Sequence, residues 1–550
     1  MLKALYSLVR RIRVNGWALA TGAGAAVVLL PVLFVISSLL YPPNENWANV
    51  KQYLLEDYIM GSVQLTLYTV AAATLIGLIL AWLIAGYQFP LRGFFQFALL
   101  LPLTVPSYIL AYTYSNMTSY TGVIQATLRN TFNIHLQPGT IEVMSMRGAV
   151  FVLTISLFPY VYMIVRTFLA RQSAVYIESA RLLGYKRWSL FGRVVIPMSR
   201  PALAAASMLV LFEVQSDYGV SSFFGVQTMS NAIFQTWFGM YDVDSALRLG
   251  AWLLLAVVGV FVLERFIRSK RKYTLTSSKG KPLVRQRLTG AAAWTATIFC
   301  LFVWLIAFLL PVLQLISWSR VAYSSMRLVD LGDLIYNSVS GAMISTCIII
   351  AIATIVARTV SRSSSAAIQG IARLMMAGYA IPGTLIAIGV MAVFITLDER
   401  FSGLYTWLGR GEGSLVLSMS LVMLFTGFVI RFMATGYSAL ESGYEKIPAS
   451  FSEVSRTLGH SSLATFIRVE LPLLTSSILT GFVLTFVEII KELPLTLLLS
   501  PFNFNTLSTR VYRYATDERM YEAAPPSLLL IAISFISVLL IWRLEKEKIS

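Results

Sequence analysis

The chain has 550 residues, 57% hydrophobic and only 13% charged, with a net charge of +17 and a mean hydropathy of +0.73. A soluble domain carries about 25% charged residues, so a water-soluble fold is excluded. Lys and Arg gather in a few loops beside apolar runs and form no continuous stripe, so the positive charge marks membrane-flanking loops and no nucleic-acid partner is expected.

A membrane span needs about 20 mostly apolar residues. The first half of the chain offers six, at roughly 17–40, 61–86, 93–115, 148–169, 201–226 and 248–266. The first run is too long for a signal peptide and no small-x-small cleavage site follows it, which predicts a retained span. A basic polar stretch over 269–289 reads as a cytoplasmic linker held near the membrane by anionic lipid. The second half offers six more runs, at roughly 291–317, 336–359, 371–396, 414–437, 474–500 and 526–543. The expectation is an all-α polytopic membrane protein of about 12 spans, built as two homologous six-span halves, residues 1–268 and 290–550.

The loops orient it. Lys3, Arg10, Arg11 and Arg13 precede the first span, the linker is basic, and Arg543, Lys546 and Lys548 follow the last. Residues 41–60 hold Lys51 alone beside three acids. The excess of Lys and Arg puts both termini and the linker in the cytoplasm of a bacterial inner membrane.

One pattern occurs twice between spans four and five of each half. Glu178-Ser179-Ala180 is followed by Gly184 and by Val194-Val195-Ile196-Pro197, within residues 171–200. Glu453-Val454-Ser455 is followed by Gly459 and by Val469-Glu470-Leu471-Pro472, within residues 446–475, every position 275 residues after its partner. Repetition at half the chain length marks an internal duplication. Ser450-x-x-Glu453 has the form of a capping box, Glu178 with Arg181 and Glu453 with Arg456 share a helix face, and the glycines stand where a helix end takes a left-handed residue.

This pattern resembles the Glu-Ala-Ala signature of ABC-importer permeases, with Ser179, Val454 and Ser455 in place of Ala. The resemblance implies a type I importer permease whose two cytoplasmic helix-turn-helix loops dock on two copies of a separate ATP-binding subunit. Glu178, Ala180, Gly184 and Pro197, and Glu453, Ser455, Gly459 and Pro472, would form those loops. It implies ATP and Mg on the partner subunit with no cofactor on this chain, and a binding protein outside to deliver the solute.

The catalytic motifs point the same way. There is no phosphate loop, no Gly-x-Ser-x-Gly elbow and no His-Glu-x-x-His. Cys300 and Cys347 lie inside apolar runs, and His135 and His460 stand far apart, so neither a disulfide framework nor a zinc spacing is offered. Energy is expected to come from a partner.

Ionisable groups inside spans are costly and are candidates for function. Span five holds Glu213, Asp217 and Tyr218; span eleven holds Glu488, Lys491 and Glu492, with the acids again 275 residues apart. Spacing by four puts each pair of acids on one helix face, and Gly219 and Pro494 would break or bend the helices there. Two readings stay open: the acids hydrogen-bond neighbouring spans or helix ends, or they line a central passage. Lys491-Glu492-Leu493-Pro494 running on to Phe504-Asn505-Thr506-Leu507, with Asp217-Tyr218-Gly219, resembles ferric-iron permeases. Leu495 and Ser500 depart from that text, where Ala and Arg are usual. The resemblance implies ferric iron as solute, met through transient contacts with no stoichiometric metal site. Thiamine, phosphonate and polyamine permeases share the build, and a secondary transporter driven by an ion gradient is the rival class.

The topology has a direct test. A single cysteine at position 50 should label rapidly in intact spheroplasts and one at position 275 should not; the reverse would overturn the orientation.

Overall fold

The structure is a computed structural model. It describes residues 16–137, 140, 143–172, 174–269, 284–322, 328–363, 365–409, 411, 414–418 and 420–547. The basic N-terminal residues before position 16, residues 270–283 of the linker and Lys548 lie outside the described residues.

In chain order the helical segments used below are α1 (Gly16–Leu40), α2 (Leu55–Gly86), α3 (Arg92–Thr104), α4 (Ser107–Phe132), α5 (Met146–Ala170), α6 (Ala174–Leu182), α7 (Arg187–Ser216), α8 (Gly219–Phe223), α9 (Val243–Val262), α10 (Ala291–Ala322), α11 (Leu331–Ser361), α12 (Ala366–Ala380), α13 (Gly383–Trp407), α14 (Leu421–Tyr444), α15 (Ala449–Thr457), α16 (Ser462–Ile490), α17 (Pro494–Leu499) and α18 (Met520–Leu540). Among the described residues ten helices are long and apolar enough to cross a membrane, and the bent pairs α3–α4 and α12–α13 bring the number to twelve. The fold is the expected all-helical one.

Two expected spans are not straight. The runs 93–115 and 371–396 fold as helix pairs bent by 91° and 114°. Proline is the cause: Val105 and Ile381, each preceding a proline, are extended (ψ 111° and 128°), because the ring of the next residue crowds the helical conformation. Pro106 and Pro382 then open the second helix of each pair, where a missing N–H costs nothing. The runs 201–226 and 474–500 also break. There α7 stops at Ser216 and α8 starts at Gly219, while α16 stops at Ile490 and α17 starts at Pro494. The acids at positions 213 and 217, or 488 and 492, therefore do not share a helix face, since the helix ends between them.

The sequence halves are not the compact units. One unit is Met1–Pro42, Leu328–Thr509 and Ile533–Ser550; the other is Pro43–Arg327 with Arg510–Ala532. In the first, α1 packs on α11, α12 and α13. Its buried residues Thr21, Ala25, Val28, Pro31 and Val35 recur every three or four positions, one helical stripe, while Leu19, Leu30 and Leu33 are exposed. Small residues allow the approach: a Cβ on Gly389 would stand 2.9 Å from the Pro31 carbonyl oxygen, and the Thr21 hydroxyl donates to Thr359 at 3.1 Å. In the second unit α10 is held by aromatic contacts, Trp304 on Phe94 at 5.1 Å and Trp318 on Tyr112 at 6.3 Å. The first span of each sequence half thus lies in the unit built from the other half.

In that second unit α2 and α5 meet at Gly77, where a Cβ would fall 2.6 Å from Val161 Cβ and 2.9 Å from the Phe158 oxygen. Gly93 on α3 has open space around it. Gly77→Ala should cost about 1–3 kcal/mol by overpacking, whereas Gly93→Ala should gain roughly 0.5–1 kcal/mol from helix propensity. Apparent melting temperatures in nanodiscs check this; equal shifts would mean that α2 and α5 do not pack this tightly.

Candidate functional site

The duplicated loops fold identically. In the first, α6 ends in a Schellman turn: the Gly184 N–H donates to the Arg181 carbonyl (3.0 Å) and the Tyr185 N–H to the Ala180 carbonyl (3.1 Å). In the second, α15 ends with Gly459 N–H on Arg456 (3.0 Å) and His460 N–H on Ser455 (3.2 Å). Gly184 has φ +81° and Gly459 φ +88°, a region that a side chain disfavours. A second arm follows each turn and runs on without interruption as the span α7 or α16.

The remaining signature positions acquire physical reasons. Ala180 and Ser455 are both buried; the Ser455 hydroxyl meets that of Thr465 at 3.0 Å, and the position matching Thr465 in the first loop is buried Leu190. Pro197 and Pro472 sit just after a five-residue π turn, Phe191–Val195 and Phe466–Glu470. A proline has no N–H for the preceding turn and its ring presses on the carbonyl four residues back, so the wider turn relieves the clash. Glu178 is half-buried and Glu453 exposed.

One local expectation fails. Ser450 does not cap α15, which begins at Ala449 with Pro448 in the capping position and no side-chain cap bond. Proline's fixed φ sets the helix start two residues earlier. Arg181 gives its guanidinium to the carbonyls of Val284 (2.9 Å) and Gly86 (3.4 Å), and no ion pair with Glu178 is among those formed by the described residues. Burial lowers the Arg181 pKa, while Tyr87 and Glu178 nearby raise it again. The end of the linker is held beside it, with Tyr87–Gln88 pairing in parallel with Gln286–Arg287.

Sequence reasoning missed the apolar surface of the loops. Leu183 is 78% exposed and its counterpart Leu458 74%; Trp188 and Leu463 are exposed at the next matched pair. Large apolar groups left in water on both sides of a polar turn mark an interaction surface. The signal was available, because these positions repeat with the glycines.

At the helix breaks the carboxylates cap. Asp217 Oδ1 accepts the N–H groups of Val220 (3.0 Å) and Ser221 (3.1 Å), and Oδ2 accepts the Ser107 hydroxyl (3.0 Å). Glu492 Oε1 accepts the Leu495 N–H at 3.3 Å, the matching bond in the other half. The backbone oxygens agree too, with Ser221 Oγ donating to Asp217 (3.1 Å) and Thr496 Oγ1 to Glu492 (2.9 Å). Tyr218 is buried against Phe234 (4.6 Å) and Tyr512 (6.1 Å). Lys491 bonds Glu488 at 2.9 Å. Glu213 is half-buried, one turn before its break.

Two further acids were passed over. Asp398 is buried and accepts from Tyr405 Oη, from the N–H groups of Leu417 and Ser418, and from Ser418 Oγ, tying α13 to the turn before α14. Glu470 is buried against Arg358 and Arg362. Its signal lay in the repeat itself, an acid where the first copy has Val195. Among the described residues no three His, Cys, Asp or Glu side chains come together to hold a metal ion.

Comparison with known proteins agrees with this geometry. The profile of the binding-protein-dependent transport system inner membrane component matches twice, over residues 73–323 and 349–547. The Fe(3+)-transport system permease protein FbpB 2 of Haemophilus influenzae is 24% identical over 478 residues, 86% of this chain and 87% of that protein. The probable ABC transporter permease protein y4fN of Sinorhizobium fredii is 22% identical over 514 residues, 88% and 87% of the two chains. The sulfate transport system permease protein CysT of Escherichia coli is 24% identical over 224 residues, 40% of this chain and 78% of its own. With both halves matched across most of the sequence, the chain belongs to the family of inner-membrane permease components of binding-protein-dependent transport systems, as a fusion of two permease copies.

Proposed function

We propose that this chain is the membrane permease of an ATP-driven importer of ferric iron, with both termini in the cytoplasm. The observation that carries the reading is the twice-formed helix–turn–helix with its left-handed glycine and exposed leucine. Each would seat one copy of an ATP-binding subunit, which would hold ATP and Mg and close on binding them. A binding protein outside would bring the solute, and closure of the ATPase pair would shift the permease between outward and inward states.

Iron is favoured over sulfate for two reasons. The relative named for Fe(3+) is similar along 86% of this chain and 87% of itself, so it shares the fused two-half build, whereas the one named for sulfate is a shorter protein that matches a single half with 78% of its length. Each helix break by itself also carries two acids, Glu213 with Asp217 in one half and Glu488 with Glu492 beside Lys491 in the other, a donor set that suits a hard cation better than a dianion. Contacts with the passing ion would be brief, since release must stay fast.

The docking role predicts a graded response at the turn. Gly459→Val, strained in the left-handed region by about 1–2 kcal/mol, should lose the ATP-binding subunit on purification. Gly459→Asn, which tolerates that region, should keep most of it. Gly459 has open space around it, so steric exclusion would not explain a difference. Equal retention by both variants would end the docking assignment.

For the passage, Glu213→Gln and Asp217→Asn are the informative substitutions, because the asparagine amide keeps an oxygen to cap α8. Ferric-iron uptake in vesicles should fall at least about tenfold, some 1.4 kcal/mol in barrier, with membrane abundance and basal ATP hydrolysis retained. Unchanged uptake in the double variant would remove both acids from the passage.

A further inference from the structure

The duplicated loops are alike in shape and differ in what secures them. In the second, the Glu470 carboxylate accepts from Arg358 Nε (2.8 Å), Arg362 Nη2 (3.3 Å) and Ser452 Oγ on α15 (2.8 Å), with its side chain 2% exposed. Arg362 also donates to Ser452. Arg358 reaches back to the second arm through the Ser462 carbonyl (2.8 Å), and its guanidinium lies 3.9 Å from the centroid of Trp17 on α1. Tyr444 at the end of α14 closes the cluster, its hydroxyl 3.4 Å from Glu470. One set of charged bonds thus joins the docking helix to α1, α11 and α14.

At the matching places of the first half stand Leu83, Tyr87, Ile177 and Val195, the last two fully buried, with buried Leu169 for Tyr444. That loop is held by apolar packing, by Trp82 against Tyr87 (5.3 Å) and by Arg181 on backbone carbonyls. The same fold therefore forms without the charges. A buried ion cluster is rarely worth more to stability than the apolar residues that could replace it, so stability does not account for it. Its distinguishing property is direction: charge-assisted hydrogen bonds hold partners at fixed distance and angle, whereas apolar faces can slide.

Resting on the docking assignment, we propose that Arg358, Arg362, Glu470 and Ser452 form a linkage that carries movement of the second docking helix into α11, and that the first loop lacks this linkage. These are positioning residues; none is placed on the solute.

The test is hydrogen exchange of the assembled permease–ATPase complex in nanodiscs, without nucleotide and trapped with Mg-ATP and vanadate. Two variants are compared with the parent: Glu470→Gln, and the apolar copy Arg358→Leu/Arg362→Tyr/Ser452→Ile/Glu470→Val, which borrows a residue set that already folds in the first half. In the parent, trapping should change exchange at least about threefold in both 449–457 and 349–361. In the variants 449–457 should still respond and 349–361 should not, and Glu470→Asp should restore part of the response. A parent-like response of 349–361 in the apolar copy would overturn the linkage, as would its absence in the parent while 449–457 responds. A parent in which 449–457 itself ignores trapping would instead refute the docking assignment beneath it.

Discussion

Hydrocarbon offers no water to an unpaired backbone group, so every interruption of a helix inside the membrane must bring its own hydrogen-bond partners. This chain interrupts its spans in each half, and the rest of the structure depends on how the breaks are satisfied. At the ends of α7 and α16 a carboxylate does it, Asp217 for the amides of Val220 and Ser221 and Glu492 for that of Leu495. At the bends before α4 and α13 a proline removes the donor in advance. Both devices recur in both halves, which means that the breaks belong to the ancestral single-half design.

The same constraint explains why the capping acids are credible partners for a cation. A carboxylate that caps a helix start is held in place by amide dipoles and remains an acceptor: Asp217 Oδ1 takes two amides, and Oδ2 takes one hydroxyl with a second lone pair beside it. Fixed acceptors at an irregular stretch of backbone need no rearrangement to meet an ion. A free acid on an unbroken span would have to be desolvated for transport alone. Capping and transient contact are therefore compatible uses of one group, and the choice between them posed by the sequence is too narrow.

What was legible in the sequence follows from what repeats and what breaks. Gly184 and Gly459 announced the turns of the duplicated loops because left-handed backbone has few other occupants, and Gly219 and Pro494 announced where α7 and α16 stop. The bends at Pro106 and Pro382 were hidden by counting apolar residues, since a run of the right length reads as a span whether or not proline divides it. The exchange of α1 and α10 between compact units was hidden for a deeper reason. In a membrane the lipid-facing and protein-facing sides of a helix are both apolar, so hydropathy carries no record of which neighbour a span chooses. Only the three-to-four-residue spacing of Thr21, Ala25, Val28 and Val35 marks the packed stripe, and it does not name the partner.

The departures from the repeat are where the two halves took up different work. Duplication delivers two loops equal at the surface, Leu183 with Leu458 and Gly184 with Gly459, and equality there is what the proposed pair of motor subunits would require. Behind that surface equality is no longer required. One copy keeps an apolar support of Ile177, Leu169 and Val195, and the other replaces it with Ser452, Tyr444 and Glu470 around two arginines. Burying those charges in a membrane protein is expensive if any one bond is missing, so the set had to arrive nearly complete or be built from the protein surface inward. Its place at the cytoplasmic end of the spans in the proposed orientation, where Arg362 is still partly exposed, suits the second route. Asymmetry behind a symmetric docking face then follows from fusion itself, because once the halves share a chain each can specialise without losing its partner.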